Sequence, residues 1–352
     1  MRWKILGEFR LERMFKVSRD CREAISCTRL KQQLSAIIAP FAEHGAGYAL
    51  VEYPLYSNAG DHLIWLGARR LLRDIHGQDP LMTVAPKVST PGSRQIHAQA
   101  AVIYLSGGGN FGALYRNLFS RKLAWIAANK GRKVVQLPQT LWFGDDQALL
   151  DRTCRIIEQH GNFLFMARDL RSFEFARRHF PCQTALAPDM AFALAGAFAH
   201  SSGQEASRPI LPLLRRDAES AHGAAAIPGS VDWARGSRRC LSTQGMILLA
   251  RGMRHLPPAW EMRAFDGYSG WLMRQARALL RMGRVVISDR LHGHILCLIM
   301  GIPHVMVDNR QGKISGFMET WKTEGPCARL APTLTLTEAF RLAADLLDDL
   351  SA

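Results

Sequence analysis

The sequence lacks several features that would assign a chain to a class at once: long apolar runs, paired cysteines and an acidic surplus. No uninterrupted apolar stretch reaches the roughly 18 residues that mark a membrane-spanning helix. The seven cysteines are irregularly spaced and include no Cys-x-x-Cys pair, which argues against a disulfide framework and a zinc site. Charged residues such as Glu8 and Arg10 interrupt the first segment, unlike the apolar core of a secretory signal peptide. These absences indicate a cytoplasmic protein with reduced thiols, and we expect no metal.

Basic residues are in clear excess. The chain has 45 Lys and Arg against 30 Asp and Glu, a net charge of +15. This balance predicts an anionic partner, which could be nucleic acid, an acidic lipid surface or a phosphorylated substrate. The basic residues are scattered rather than striped, and no helix-turn-helix, zinc-finger or RNA-binding signature occurs. We therefore expect no nucleic-acid partner.

The length of the chain predicts two domains, because 352 residues exceed the size at which one core usually keeps growing. Short β-branched strands alternate with amphipathic helices in both halves, which is typical of parallel α/β sheets. We expect an N-terminal α/β domain over 28–197, a C-terminal α/β domain over 209–335 and a closing helix over 336–352. Residues 1–27 form a basic segment that is either solvated or an amphipathic, surface-seeking helix.

The stretch 284–309 is the most informative part of the chain, and its pattern indicates strand, polar turn, helix and strand. The polar turn contains Arg290 and His292, directly before a strongly apolar helix. Ligands of parallel α/β sheets bind where strands end and the next helix begins, so this turn predicts an anion site. His294 lies two residues beyond His292, on a different side of a helix, so we expect a structural role for it rather than metal chelation.

Polar groups also follow the predicted strands of the first half. Asn58 and Asp61 follow the first strand, and a Gly107-Gly-Gly109-Asn110 loop follows the strand over 102–105. Consecutive glycines let a backbone approach a ligand closely, although this loop matches neither the Walker P-loop nor the complete Gly-x-Gly-x-x-Gly pattern. Gln139 follows a strand predicted over 133–137, and Arg168 follows one over 163–167.

Together these pieces resemble the polysaccharide pyruvyl transferase family. The resemblance rests on Arg290-Leu-His-Gly293, Asn58-x-Gly-Asp61, the glycine loop, Pro188-Asp-Met-Ala-Phe192, and a tail over 308–314 with Trp321. It extends from about residue 45 to residue 321. The chain departs from the family pattern at Ala113, where an acidic residue is expected.

The resemblance implies two Rossmann-like domains with parallel sheets facing a cleft, in a glycosyltransferase-B-like arrangement. It implies transfer of the enolpyruvyl group of phosphoenolpyruvate onto two hydroxyls of one sugar, as a cyclic ketal with release of phosphate. The acceptor would be an exopolysaccharide or surface-glycan precursor, and no cofactor is expected besides phosphoenolpyruvate as donor substrate. With a lipid-linked acceptor, the basic charge would favour peripheral contact with the acidic inner face of the membrane.

The same resemblance implies roles for individual residues. Asp61 and His292 are the catalytic candidates: Asp61 as base toward a sugar hydroxyl, and His292 as proton donor or phosphate ligand. Their division of roles stays open. The expected substrate-binding residues are Asn58, Gly107, Gly108, Gly109, Asn110, Gln139, Arg168, Arg290 and Lys313. Three of them, Arg168, Arg290 and Lys313, are cations suited to phosphate and carboxylate.

A nucleotide-sugar glycosyltransferase is the alternative, since such an enzyme shares the two-domain cleft. It would bind a uridine or guanosine sugar nucleotide. The feature that separates the two hypotheses is Arg290-Leu-His-Gly293, which such glycosyltransferases need not have.

Overall fold

A computed structural model of the chain describes residues 26–84, 98–198, 206–216, 220, 227–233, 243–253, 257–308, 312–331 and 335–350. Most of the predicted N-terminal segment and of the linker before residue 209 lies outside the described residues. Asn309, Arg310 and Gln311, which belong to the predicted family tail, lie outside them as well.

The first sheet has seven strands among the described residues, and every pairing is parallel. The strands are β1 (Tyr48–Val51), β2 (Met82–Val84), β3 (Val102–Leu105), β4 (Gly108–Gly112), β5 (Lys133–Trp142), β6 (Phe163–Ala167) and β7 (Gln183–Leu186). Their order is β2-β1-β3-β5-β6-β7, with β4 beside the far end of β5. Strands β1, β3 and β6 are buried along their whole length, as in sheets covered by helices on both faces.

The second sheet has four parallel strands in the described part of the chain. They are β8 (Arg208–Leu213), β9 (Gly283–Ser288), β10 (His304–Met306) and β11 (Ala328–Leu330), in the order β11-β10-β9-β8. Two parallel sheets, one in each half, confirm the predicted α/β class. The domain boundaries themselves stay a prediction.

Helices connect the strands of both sheets. They are α1 (26–38), α2 (Ala59–His76), α3 (Arg116–Ala128), α4 (Gln147–His160), α5 (Leu170–His179), α6 (Thr243–Met253), α7 (Pro258–Leu280), α8 (Leu291–Met300), α9 (Lys313–Trp321) and α10 (Leu336–Asp349). Short 3-10 turns occur at Ala39–Phe41, Ala113–Tyr115 and Met190–Leu194. Within the described part of the chain, none of the helices is both long and apolar enough to cross a bilayer.

Strand β5 is longer than the sequence predicts. The pattern indicated an end at Leu137, but the strand continues past Pro138 to Trp142. It continues because β4 provides a new parallel partner, with Gly108 opposite Gln139, after an irregular step in the register with β6. Gln139 therefore lies within a buried strand and not in the exit loop that the sequence suggested.

Candidate functional site

A cavity of about 340 Å³ lies between the two halves of the molecule. The first half contributes residues that follow β1 and β6 and residues in and after β4, and the second half contributes residues that follow β8, β9 and β10. Most of the predicted site residues lie in its wall, together with several aromatic and apolar side chains. The described lining consists of Tyr56, Asn58, Asp61, Gly109, Asn110, Tyr115, Leu118, Arg168, Arg215, Trp233, Arg290, Leu291, His292 and Lys313.

Arg168, at the end of β6, is held in one orientation by buried partners. Its Nε donates to Thr140 Oγ1 at 2.9 Å and its Nη1 donates to Asp189 Oδ2 at 2.8 Å. The carbonyl of Arg168 accepts from Trp321 Nε1 at 2.7 Å, which ties this strand end to α9 of the second half. Thr140 in turn donates to Asp169 Oδ2 at 2.7 Å, so Asp169 reaches Arg168 through Thr140. A buried guanidinium fixed in this way presents its remaining N–H groups to the cavity as a rigid fork.

Asp189 joins Arg168 to His292, across the two halves. Its Oδ2 lies 3.4 Å from His292 Nε2, and Arg168 Nη1 lies 3.4 Å from the same nitrogen. Burial alone would raise the pKa of Asp189, but His292 and Arg168 together lower this pKa well below its usual range. The carboxylate is therefore ionised and fully buried. Gly60 leaves room for the imidazole, because a Cβ at this position would lie 2.7 Å from His292 Nδ1.

Asp61 lies in the first turn of α2, and two side chains hydrogen-bond to it. Asn58 caps the helix by accepting from Gly60 N–H at 3.2 Å, and its Nδ2 donates to Asp61 Oδ2 at 2.7 Å. Tyr56 also hydrogen-bonds to Asp61, and burial, followed by the charge of Asp61, raises the pKa of this phenol well above its usual range. Tyr56 therefore stays protonated and donates. Asn58 and Tyr56 thus orient Asp61 toward the cavity that all three line.

Arg290 is the corresponding buried cation of the second half. Its Nη2 donates to Asp232 Oδ1 at 2.5 Å, and both side chains are almost completely buried. Its backbone N–H donates to Ser288 Oγ at 3.1 Å, which fixes the turn between β9 and α8. The partner Asp232 lies outside every sequence motif. Each of the two arginines thus has a buried carboxylate of its own.

Arg215 was not among the predicted site residues, and it adds a further cation to the lining. Its backbone N–H donates to Asp289 Oδ1 at 2.8 Å. Burial raises the pKa of Asp289 to about 6, against the opposing effects of the Arg215 N–H and of the Arg290 charge. Asp289 lies just before Arg290 and is 1% exposed, so it is a buried support for Arg215 and Arg290 and does not face the cavity.

Gly109 and Asn110 are the residues of the glycine loop that line the cavity. A Cβ at Gly109 would lie 3.1 Å from Arg168 Nη2 and 3.8 Å from Lys313 Nζ. The missing side chain therefore lets two cations of opposite halves approach the loop backbone. Gly107 packs behind the loop, where a Cβ would meet the Pro138 carbonyl at 2.7 Å.

Gln139 supports the glycine loop from below instead of facing the cavity. It is fully buried, and its Nε2 donates to Asn110 Oδ1 at 3.0 Å and to the Ser106 carbonyl at 3.1 Å. Lys122 of α3 donates to the same carbonyl at 2.8 Å and pairs with Glu52. Gln139 is absent from the described lining of the cavity because β5 continues through this position, and its contacts support the glycine loop.

Lys313 begins α9 directly after Gly312, whose φ of +64° suits the left-handed region. The Asp308 carboxylate accepts from Ile314 N–H at 3.1 Å and from Ser315 N–H at 3.3 Å, which anchors this helix start. Lys313 itself is 8% exposed and lines the cavity. The cavity therefore collects cations from both halves, with His292 between them, and it is suited to a ligand with more than one anionic group.

His294 points away from the cavity, as the sequence indicated. It is fully buried, and its ring nitrogens lie 2.7 Å from His304 Nε2 and 2.8 Å from Thr323 Oγ1. His304 in turn hydrogen-bonds to the Ile302 carbonyl. This chain of buried hydrogen bonds connects α8 to β10 and gives His294 a role in packing.

Comparison with known proteins identifies sequence relatives. The family model for polysaccharide pyruvyl transferases matches residues 58–311. EpsO of Bacillus subtilis, assigned by its name to the pyruvyl transferases, is 29% identical over 314 residues, which cover 87% of this chain and 94% of EpsO. Pyruvyl transferase 1 of Schizosaccharomyces pombe is 26% identical over 313 residues, which cover 85% of this chain and 77% of that protein.

A solved structure is similar in fold. It is the crystal structure of a functionally uncharacterised protein from Klebsiella pneumoniae, with a TM-score of 0.53 and 17% sequence identity. The similarity covers 82% of this chain and 93% of the Klebsiella chain. It shows the fold alone, and it is consistent with a glycosyltransferase-B-like arrangement of two parallel sheets. Because the family model spans most of the sequence, this chain belongs to the polysaccharide pyruvyl transferase family.

Proposed function

We propose that this protein transfers the enolpyruvyl group of phosphoenolpyruvate onto a sugar of an exopolysaccharide or surface-glycan precursor, as a cyclic ketal. The observation that carries the proposal is the meeting of Arg168, Arg290 and Lys313 around His292 in one cavity. Phosphoenolpyruvate has a phosphate and a carboxylate on a small carbon frame, and it needs cations on more than one side. The names of the relatives, which call them pyruvyl transferases, support transfer of a pyruvyl group.

The proposed reaction balances without a cofactor. One sugar hydroxyl adds to C2 of the enol, and its proton equivalent ends on the methylene carbon, which becomes a methyl group. A second hydroxyl of the same sugar then forms a bond to C2 while the C2–O bond to phosphate breaks. The proton of this second hydroxyl leaves with the phosphate. The products are a ketal with two sugar oxygens and inorganic phosphate.

The residues of the cavity are suited to these steps. Asp61, oriented by Asn58, would accept a proton from the attacking hydroxyl. His292 lies beside Arg168 and Asp189, where it would hold the phosphate or deliver a proton. The arginines would stabilise the charge that moves onto the departing phosphate. We place this reaction in the cytoplasm, where a net charge of +15 would favour contact with an acidic membrane surface.

The test is phosphate release from phosphoenolpyruvate by the purified protein, with and without a crude lipid-linked glycan extract from its source. We expect release that depends on the extract and is lost in Arg290→Ala and in His292→Asn. Arg341→Ala, which changes a 59% exposed arginine of α10, is the matched control and should keep full activity. Circular dichroism verifies that each variant is folded.

A different result would favour the alternative enzyme class. If the folded wild-type protein releases no phosphate, and if its melting temperature rises with uridine or guanosine sugar nucleotides but not with phosphoenolpyruvate, the pyruvyl transfer proposal fails.

A further inference from the structure

A second cavity, of about 560 Å³, lies next to the first one. Lys313 lines both cavities, so they share a wall. Thr140 and Asp169, which hydrogen-bond to each other at 2.7 Å beside Arg168, also lie in the lining of the second cavity. The two cavities therefore adjoin at Lys313.

Trp142 gives the second cavity an exposed aromatic surface. The residue ends β5, whose preceding residues from Val134 onward are buried, yet its own side chain is 41% exposed. The chain turns at Gly144, with φ of +56°, and a Cβ there would lie 3.7 Å from the indole Nε1. The indole therefore folds over the turn. Because Trp142 lines the cavity, its exposed ring offers a ligand there a large, rigid apolar face.

The rest of the wall is rigid and is formed by both halves. Phe143 and Phe175 stack with ring centroids 5.6 Å apart and an interplanar angle of 11°. The backbone N–H of Leu141 donates to Ser172 Oγ at 2.9 Å, which fixes the end of β5 on α5. The Leu170 N–H donates to Thr320 Oγ1 at 3.0 Å, which fixes α5 on α9 of the second half. The cavity is therefore preformed.

The chemistry of this wall is suited to carbohydrate. Aromatic faces pack against the C–H face of a sugar ring, and polar groups at the rim bind the hydroxyls around its edge. Asp145 and Arg171 provide such groups in the lining and are exposed. Arg171 also lies close to the start of α9, where a Cβ at Gly312 would meet its Nη1 at 2.7 Å.

We propose that the cavity beside Trp142 binds the part of the glycan acceptor that continues beyond the reacting sugar. The inference rests on the proposed function: the reacting sugar occupies the first cavity near Asp61 and His292, and the adjoining sugars pass Lys313 to reach Trp142. The enzyme then recognises an oligosaccharide or polymer, and a single sugar lacks the contacts of the second cavity.

The kinetic test compares Trp142→Ala with Trp260→Ala, which removes another exposed tryptophan, 58% exposed on α7. Phosphate release is measured against the concentration of glycan extract, expressed as total hexose. We expect Trp142→Ala to raise KM for the extract by about 5-fold or more, the effect of losing one aromatic contact. The KM for phosphoenolpyruvate and kcat at saturating extract should stay within about 2-fold of wild type, and Trp260→Ala should match wild type throughout.

A binding test without donor separates this inference from the proposed function. Fluorescently labelled wild-type, Trp142→Ala and Trp260→Ala proteins are applied to an array of defined short oligosaccharides and to the immobilised extract. Binding that is lost only in Trp142→Ala supports the acceptor site, even if no phosphate is released in the first experiment. Equal binding by Trp142→Ala, no binding of wild type to any glycan, or displacement by uridine or guanosine diphosphate would overturn it.

Discussion

At the residue scale, Asp189 fixes two side chains of the first cavity, Arg168 and His292, although it was not among the predicted site residues. It is fully buried and ionised, it accepts from Arg168 at 2.8 Å, and it lies 3.4 Å from His292. It also caps the turn Met190–Leu194 by accepting from Ala191 N–H at 2.9 Å. Because a buried charge depends on its partner, loss of this carboxylate would leave the Arg168 guanidinium buried without compensation.

We therefore expect Asp189→Asn to lower the free energy of unfolding by about 3–5 kcal/mol, the usual result of breaking a buried ion pair. It should also lower kcat/KM for phosphoenolpyruvate by about 100-fold, because Arg168 and His292 lose their common anchor. Urea unfolding and phosphate release measure the two effects.

The matched control is Asp146→Asn, since Asp146 caps α4 and pairs with the exposed Arg116. An Asn keeps the cap, so this variant should change stability by less than about 1 kcal/mol. If Asp189→Asn and Asp146→Asn show the same unfolding free energy and the same kcat/KM, Asp189 does not anchor Arg168 and His292.

At the element scale, the strand ends explain how much of the site could be predicted from the sequence. Asp61, Arg168 and Arg290 each follow a buried strand, and the ends of parallel strands collect at one edge of a sheet. A pattern that marks strands therefore also marks the wall of the cavity. Asp189 follows β7, a strand that is not buried, so the strand pattern does not mark it and only the resemblance over Pro188-Asp-Met-Ala-Phe192 included it.

Other parts of the site depend on contacts that no local pattern contains. Asp232 pairs with Arg290 from a segment without a clear period, 58 residues earlier in the chain. The supporting role of Gln139 depends on β4 pairing with the far end of β5, a tertiary contact that overrides the break expected at Pro138. The local sequence pattern predicts which helices and strands exist. Which residues and strands pair across the molecule is seen only in the folded structure.

The buried histidines between α8 and β10 make the protein sensitive to acid. Burial lowers the pKa of His304 to about 4 and the pKa of His294 well below its ordinary value, and each ring is already committed to hydrogen bonds. The unfolded chain therefore binds protons that the folded chain does not, between about pH 6.5 and pH 4. Stability should be fully present above about pH 6.5 and should fall as the pH drops through this window.

Urea unfolding at several pH values tests this expectation. Each such histidine adds a slope of at most about 1.4 kcal/mol per pH unit. His304→Gln keeps a hydrogen-bonding amide without a titrating ring, so it should make the slope shallower. His179→Gln, at the exposed end of α5, should leave the slope unchanged. Because the raised pKa of Asp289 gives an opposing slope, the comparison is between variants: equal slopes in wild type and His304→Gln would contradict the assignment of a buried neutral His304.

At the scale of the whole molecule, α7 links the two halves whose relative position defines both cavities. The Tyr53 ring, just after β1, stacks on Phe265 of α7 with centroids 3.9 Å apart. The Tyr53 hydroxyl donates to the Phe265 carbonyl at 3.0 Å, and Arg69 of α2 donates to Asp266 at 2.9 Å. Because Asp61 and Arg168 belong to one half while His292, Arg290 and Lys313 belong to the other, this interface sets their spacing.

We expect Phe265→Ala to act at a distance on catalysis as well as on stability. Removal of a buried phenylalanine should cost about 3–5 kcal/mol of unfolding free energy. The loss of stacking on Tyr53 should also let the halves shift, so KM for phosphoenolpyruvate should rise several-fold although Phe265 is not part of the described cavity lining. Calorimetry and phosphate release measure the two effects, and Trp260→Ala, on an exposed turn of the same helix, should leave both unchanged. If Phe265→Ala lowers stability but keeps the wild-type KM, the spacing of the cations is set by other contacts, of which Trp321 to Arg168 is the next to test.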